Sequence, residues 1–151
     1  MKRLLVLIIM SVAVISACSS SDKTTTCKMN LGDEEVIEVS ITVTSDDDKV
    51  SKIVTENIVD LKKSADYTSA DELEEFGKEL TEAYKTVDGV TYSYEVSKTE
   101  FKDTLEVEVT DKNFDSLKTS GLLSGYVEGE DKKVSLKTVK EYLEDREMEC
   151  K

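Results

Sequence analysis

Ile37, Val39, Ile41 and Val43 are apolar, and the residues between them, Glu38, Ser40, Thr42 and Thr44, are polar. A period of two is the signature of a strand with one face buried and the other in water, so this chain has to build a sheet that is covered on one side. Ser45-Asp46-Asp47-Asp48 follows as a polar turn, and the apolar run from Val50 to Leu61 returns as an antiparallel partner. Ile53-Val54 and Ile58-Val59 are adjacent apolar pairs within that run, which predicts a bulge or burial on both faces. The alternation resumes at Val90, Tyr92, Tyr94 and Val96, and again at Phe101, Leu105, Val107 and Val109, opposed by Thr104, Glu106, Glu108 and Thr110. That is a second hairpin. With a first strand around Cys27, the sheet has about five strands.

Between the two hairpins the period changes. Ser69-Ala70-Asp71-Glu72 has the spacing of a capping box, and Leu73, Phe76, Leu80, Ala83, Tyr84 and Val87 recur at helical intervals until Gly89. A short helical piece is expected around residues 113–118. Gly121, Gly125 and Gly129 punctuate a loop, and Ser135 can cap a last helix with Leu136, Val139 and Leu143 on one side. Hairpins with segregated helices specify an α+β domain: an antiparallel sheet packed against one long helix and a C-terminal helix.

The N-terminus has a different character. Met1-Lys2-Arg3 is followed by an almost unbroken apolar run from Leu4 to Ile15, the outline of a signal peptide. A twelve-residue helix rises only ~18 Å, short of the ~30 Å hydrocarbon core, so removal is favoured over a permanent span. Ile15-Ser16-Ala17-Cys18 resembles the lipobox of bacterial lipoproteins, in which the cysteine becomes an acylated N-terminus. The resemblance implies a signal peptide over 1–17, lipidation of Cys18 and contact with membrane lipid through it. Two or three acyl chains anchor stably where one does not. Residues 18–26 contain no apolar residue besides that cysteine, and the expectation is a polar tether leading to one domain over 27–151.

Lipidation leaves Cys27 and Cys150 at the two ends of that domain. An even remainder outside the cytoplasm favours a disulfide over two buried thiols, or over a metal pair with no histidine to complete it. In the chain-entropy model such a bridge is worth ~4 to 5 kcal/mol.

Charge and missing chemistry restrict function. The chain has 33 Asp+Glu against 20 Lys+Arg, and loss of Lys2 and Arg3 takes the formal net charge from −13 to −15. Such a surface repels phosphate backbones and anionic headgroups, which argues against nucleic acid, and any partner recognised by charge is basic. There is no histidine, which removes the commonest general base and metal ligand. Ser124 lacks the glycine spacing of a nucleophile elbow, and no phosphate-binding glycine pattern occurs. Asp46-Asp47-Asp48 lacks the alternating ligands of a calcium loop and reads as a solvated turn. A carboxylate pair for sugar hydrolysis could be drawn from so many acids, but there is no Trp to stack on a sugar. The expectation is therefore no enzyme, no cofactor and no metal. Tyr84, Tyr92, Tyr94, Tyr126 and Tyr142 could line a groove, although their spacing favours packing. Two readings follow: a noncatalytic binding or structural module in the cell envelope, and a solute or cation receptor with a tyrosine-lined pocket.

Thr55-Glu56-Asn57, the run Phe101-Lys102-Asp103-Thr104-Leu105-Glu106-Val107-Glu108-Val109, and Ser135-Leu136-Lys137-Thr138-Val139, in this order after a lipobox cysteine, resemble the YehR-like lipoproteins. That family consists of small bacterial envelope proteins without an established activity. The resemblance implies the same α+β domain and supplies no catalytic residue. The present chain departs from it in its Cys27 and Cys150, its acidity and its lack of proline, so the disulfide rests on cysteine arithmetic alone.

Overall fold

The computed structural model describes residues 22–32, 36–64, 68–127 and 132–151. The signal peptide, Cys18, the start of the tether and Gly129 lie outside them. Six strands, β1 (Lys23–Leu31), β2 (Ile37–Asp46), β3 (Lys49–Asp60), β4 (Val90–Val96), β5 (Glu100–Glu108) and β6 (Glu149–Cys150), form one antiparallel sheet in the order β4-β5-β3-β2-β1-β6. The helices are α1 (Ala70–Tyr84), α2 (Phe114–Thr119) and α3 (Leu136–Glu144). The α+β class, the two hairpins and the long and C-terminal helices are as the periodicity predicts.

Register shows how the alternation is used. Cys27 pairs with Ile41, Ile41 with Thr55, Thr55 with Leu105 and Leu105 with Tyr92, so every apolar parity found in the sequence faces the same side. The other side is aqueous, and across β3 and β5 it carries the ion pairs Lys52–Glu106 at 2.6 Å and Lys102–Glu56 at 3.0 Å. Such cross-strand pairs of opposite charge support register.

The structure departs from expectation in two places and decides between two expected outcomes in a third. First, β1 begins at Lys23, inside the stretch expected to be tether. Thr24, Thr25 and Thr26 pair with Thr44, Val43 and Thr42, and Thr26 Oγ1 lies 3.2 Å from Thr42 Oγ1. Threonine is polar but β-branched, and a strand with a wet face suits it. Second, the sheet has six strands because the tail adds a short one. Thr26 and Lys151 exchange both backbone hydrogen bonds at 2.9 Å, and a two-residue strand leaves no periodic trace. Third, β3 runs in unbroken register through Ile53–Val59 against β5, and the irregularity of β2 against β3 falls between Thr44 and Ser45. Val54 and Ile58 face the aqueous side half-buried, which is the second of the two outcomes expected there.

The covered face carries two clusters. The larger joins Val43, Val50, Ile53 and Val107 of the sheet to Phe114, Leu117, Leu123, Val134, Val139 and Leu143 of the α2 and α3 region. The smaller joins Val59, Leu61 and Phe101, with Ala70, Leu73 and Tyr94 packed against it. α1 has its capping box, in which the Glu72 N–H donates to Ser69 Oγ and the Ser69 N–H to Glu72 Oε2. It lies on β4 through Gly77, where an added Cβ would stand 2.6 Å from the Tyr94 ring. Gly77 is the one buried residue of α1, and Phe76, counted in the sequence with the covered stripe, is 46% exposed. At the foot of α1, Gly89 has φ +78°. It lets Asn113, 4% exposed, close in and donate to the carbonyls of Asp88 and Glu108.

Candidate functional site

The predicted cysteine pair is joined. Cys27 and Cys150 are register partners in β1 and β6, with Cα atoms 3.9 Å apart, and their disulfide links residues 123 apart in sequence. Cys27 is fully buried at the rim of the larger cluster. The predicted lipidation residue, Cys18, falls outside the described residues.

The aspartate turn has a use the sequence did not reveal. Ser135 Oγ donates to Asp48 Oδ1 and Oδ2 at 2.9 and 2.8 Å, and the Lys137 N–H donates to Oδ1 at 3.1 Å. Asp48 thus caps α3 from a distant hairpin. The Ser135 hydroxyl, then the Lys137 amide, hold its carboxyl below the usual carboxylate range. A residue separation of 87 is invisible to local pattern reading. Ser124 lies in a turn whose N–H reaches Gly121 O, and no metal-binding group of three or more His, Cys, Asp or Glu occurs among the described residues.

The tyrosines are used for packing. Tyr84, Tyr92, Tyr94 and Phe101 form a chain of rings with centroids 5.9, 6.3 and 6.2 Å apart, and Tyr126 meets Tyr142 edge-on at 5.1 Å. Beneath the chain lies a polar strip. Asp103, 5% exposed, accepts from Asn57 Nδ2 at 2.7 Å and from the Tyr92 hydroxyl at 3.0 Å. Burial, and next the Asp103 charge, push the Tyr92 hydroxyl well above the usual phenol range. Asn57 and Asp103 come from the two strand segments that carried the family resemblance, and the sheet places them opposite one another. This strip separates the two apolar clusters.

The largest depression described is an apolar groove of about 530 Å³ at the far end of the covered face, lined by Leu31, Gly32, Val36, Ile37, Val59, Ser64 and Thr68. Its floor is one row of the sheet: Leu31 pairs with Ile37, and Ile37 with Val59. Leu31 is 40% exposed. Ser64 is 1% exposed and its hydroxyl has no hydrogen-bond partner. Among the described residues, no tyrosine lines this groove. The alternation marked Ile37 and Val59 as apolar, but no local signal said that Val59 would be buried while Ile37 beside it stayed half-buried.

A family model described as a protein of unknown function, DUF1307, matches residues 24–149. The chain belongs to this family. Its fold matches the NMR structure of the Escherichia coli YehR protein with a TM-score of 0.63 at 18% identity, covering 86% of this chain and 92% of that one. It also matches the NMR structure of a Streptococcus pneumoniae TIGR4 protein, with a TM-score of 0.50 at 17% identity, covering 100% of this chain and 98% of that one. The YehR-like resemblance read from the strand motifs is therefore borne out, and at these identities it shows the fold. No curated protein matches.

Proposed function

We propose that this DUF1307 member is a noncatalytic binding module, anchored by an acylated Cys18 on the extracytoplasmic face of the cell envelope, and that its partner is a basic protein. The observation that carries the reading is the disulfide between β1 and β6. Such bridges persist in oxidising compartments outside the cytoplasm, where the signal peptide and lipobox would deliver the chain. No helix among the described residues is long and apolar enough to cross a membrane, so attachment falls to the lipid. Five residue steps from Cys18 to Lys23 reach at most ~17 Å, which would hold the β2–β3 turn near the headgroups. β1 then carries the chain ~26 Å further along its nine residues, so Leu31 and the groove face away from the membrane.

The net charge of −15 on the processed chain supports a basic partner. The receptor reading asked for a pocket lined by tyrosines with convergent polar groups, and the groove has an apolar floor with a single unpaired hydroxyl. Mass spectrometry of protein extracted from membranes tests the anchor: a diacylglyceryl modification on an N-terminal Cys18 is expected, and an unmodified Cys18 or a cut elsewhere overturns it. Crosslinking in intact cells, beside a thermal-shift screen of solutes and divalent cations, tests the module. A solute that raises the melting temperature at micromolar concentration, with no protein captured, would replace the module by a receptor.

A further inference from the structure

Two aromatic rings carried by helices meet the surface in opposite surroundings. Tyr142 of α3 is half-buried and has a cation of its own: the Arg146 guanidinium carbon lies 3.4 Å from the centre of the ring, and Arg146 Nη1 donates to the Tyr142 carbonyl at 3.0 Å. A guanidinium on a ring face is attracted by the negative face of the ring. Phe76 of α1 is 46% exposed, and no cation stands over it among the described residues. Helical spacing explains why α1 cannot supply one. At ~100° per residue, Glu72, Glu79 and Ala83 fall within ~60° of Phe76, whereas Lys78 and Lys85 fall on the opposite side of the helix. Both lysines are also engaged there, Lys78 with Glu74 at 2.7 Å and Lys85 with Glu82 at 3.1 Å.

The carboxylates on the Phe76 side are placed to act with the ring. Side chains of a helix lean toward its N-terminus, which brings Glu79 back toward Phe76 and Phe76 toward Glu72. Glu72 is held in that turn by the Ser69 N–H, which donates to its Oε2 at 2.9 Å. Glu79 makes no ion pair among the described residues, and it follows Glu75 by four residues, a spacing at which like charges repel. The fold thus leaves an uncovered ring beside an uncompensated carboxylate. A guanidinium satisfies both at once, because it is planar enough to lie on the ring and carries N–H donors at its edge for the carboxylate. An anionic headgroup would be repelled from the same place.

We infer that the Phe76 flank of α1 is a docking surface for the basic partner protein, and that it receives an arginine whose guanidinium stacks on the Phe76 ring and donates to the Glu79 carboxylate. Glu72 adds negative charge from the preceding turn. This rests on the module reading and assigns it a surface. The partner's arginine supplies to Phe76 what Arg146 supplies to Tyr142 within the chain.

The full-length chain in its native cells, carrying photoreactive benzoylphenylalanine in place of Phe76 or, separately, of Lys85 on the opposite side of α1, provides the test. Position 76 is expected to capture a partner peptide with an arginine beside the crosslink, and position 85 is expected to capture none. Capture from position 85 but not 76 overturns the surface and leaves the module reading intact. Capture from neither overturns the surface, and a solute shift in the thermal screen would then remove the module reading too. A labelled peptide of alternating arginine and glycine, titrated into the full chain in neutral detergent, supplies a second readout. Phe76→Leu keeps apolar bulk but loses the ring face, and should weaken the peptide roughly two- to fivefold. Glu79→Gln should weaken it by a similar factor, whereas Glu144→Gln, which removes the same charge from α3, should leave it unchanged. Equal losses in the two glutamine variants would mean that net charge alone is read, and unchanged affinity in Phe76→Leu would remove the ring from the site; either result overturns the proposal.

Discussion

The two ends of the covered face are built to different standards. Toward the disulfide, α2, α3 and the intervening loop bury Val50, Leu117, Val134 and Val139 to 0% exposure, and Leu123 and Val43 to 1%. At the other end α1 rests on the Tyr94 ring through a single buried glycine, leaves Phe76 in water and leaves a groove beside Val59. Burial at ~25 cal/mol per Å² makes the first end the source of stability. The second end has surface to spare. Apolar area the domain has not used on itself is found where the helix covers the sheet least, which is where the proposed binding role would need it.

The largest effect should come from the clasp at the stable end. Reducing the Cys27–Cys150 bridge releases a loop of 123 residues, worth ~5 kcal/mol in the chain-entropy model and well over ten degrees of melting temperature for a domain of this size. Calorimetry with and without reductant checks it. Equal melting would mean that the packing around Cys27 holds the tail unaided.

Core truncations sharpen the contrast. Leu117→Ala should cost ~2 to 5 kcal/mol, because a fully buried leucine leaves a cavity, whereas Phe76→Ala should fall within ~1 kcal/mol of neutral. Urea unfolding of both variants reads the difference. Comparable losses would break the comparison. Next in size is Gly77→Ala, whose methyl would enter the Tyr94 ring. Overpacking of ~1 to 3 kcal/mol should outweigh a helix-propensity gain of up to ~1 kcal/mol. Hydrogen exchange should accelerate in α1 while α2 and α3 stay protected; uniform acceleration would mean the two ends unfold as one.

The smallest effect concerns Asp48, whose carboxyl is held below its ordinary range by the Ser135 hydroxyl. A depressed folded-state value means that the cap's stabilisation is present above the unfolded carboxylate range, near pH 4, and is lost as pH falls through the lower folded value. The group is largely exposed, so solvent screening keeps this below ~1 kcal/mol. Asp48→Ala should flatten the acid limb of the stability curve below about pH 4 and leave pH 7 stability lower by the same small amount. An unchanged acid limb would show that Ser135 caps α3 without help.

Most of the fold is legible in the sequence because it depends on periods. Four strands, the apolar parity of each, the capping box at Ser69 and the Ser135 cap of α3 follow from residues within a few positions of one another. The cysteine pair was accessible by count, since two thiols expected outside the cytoplasm had few alternatives. The same local logic misassigned Thr24–Thr26 to the tether, because polar threonines pair in a strand only when a neighbour such as β2 is there to receive them.

The candidate site was not legible, for the opposite reason. Ile37 and Val59 announce themselves as apolar, but whether such residues are covered depends on where α1 comes to rest on the sheet. That is decided by the contact of Gly77 with Tyr94 and by the packing of Ala70 and Leu73 on the cluster of Val59, Leu61 and Phe101. Periodicity states which side of a strand avoids water. Only the packed chain states which part of that side is left open, because coverage is a contest for area among elements far apart in sequence.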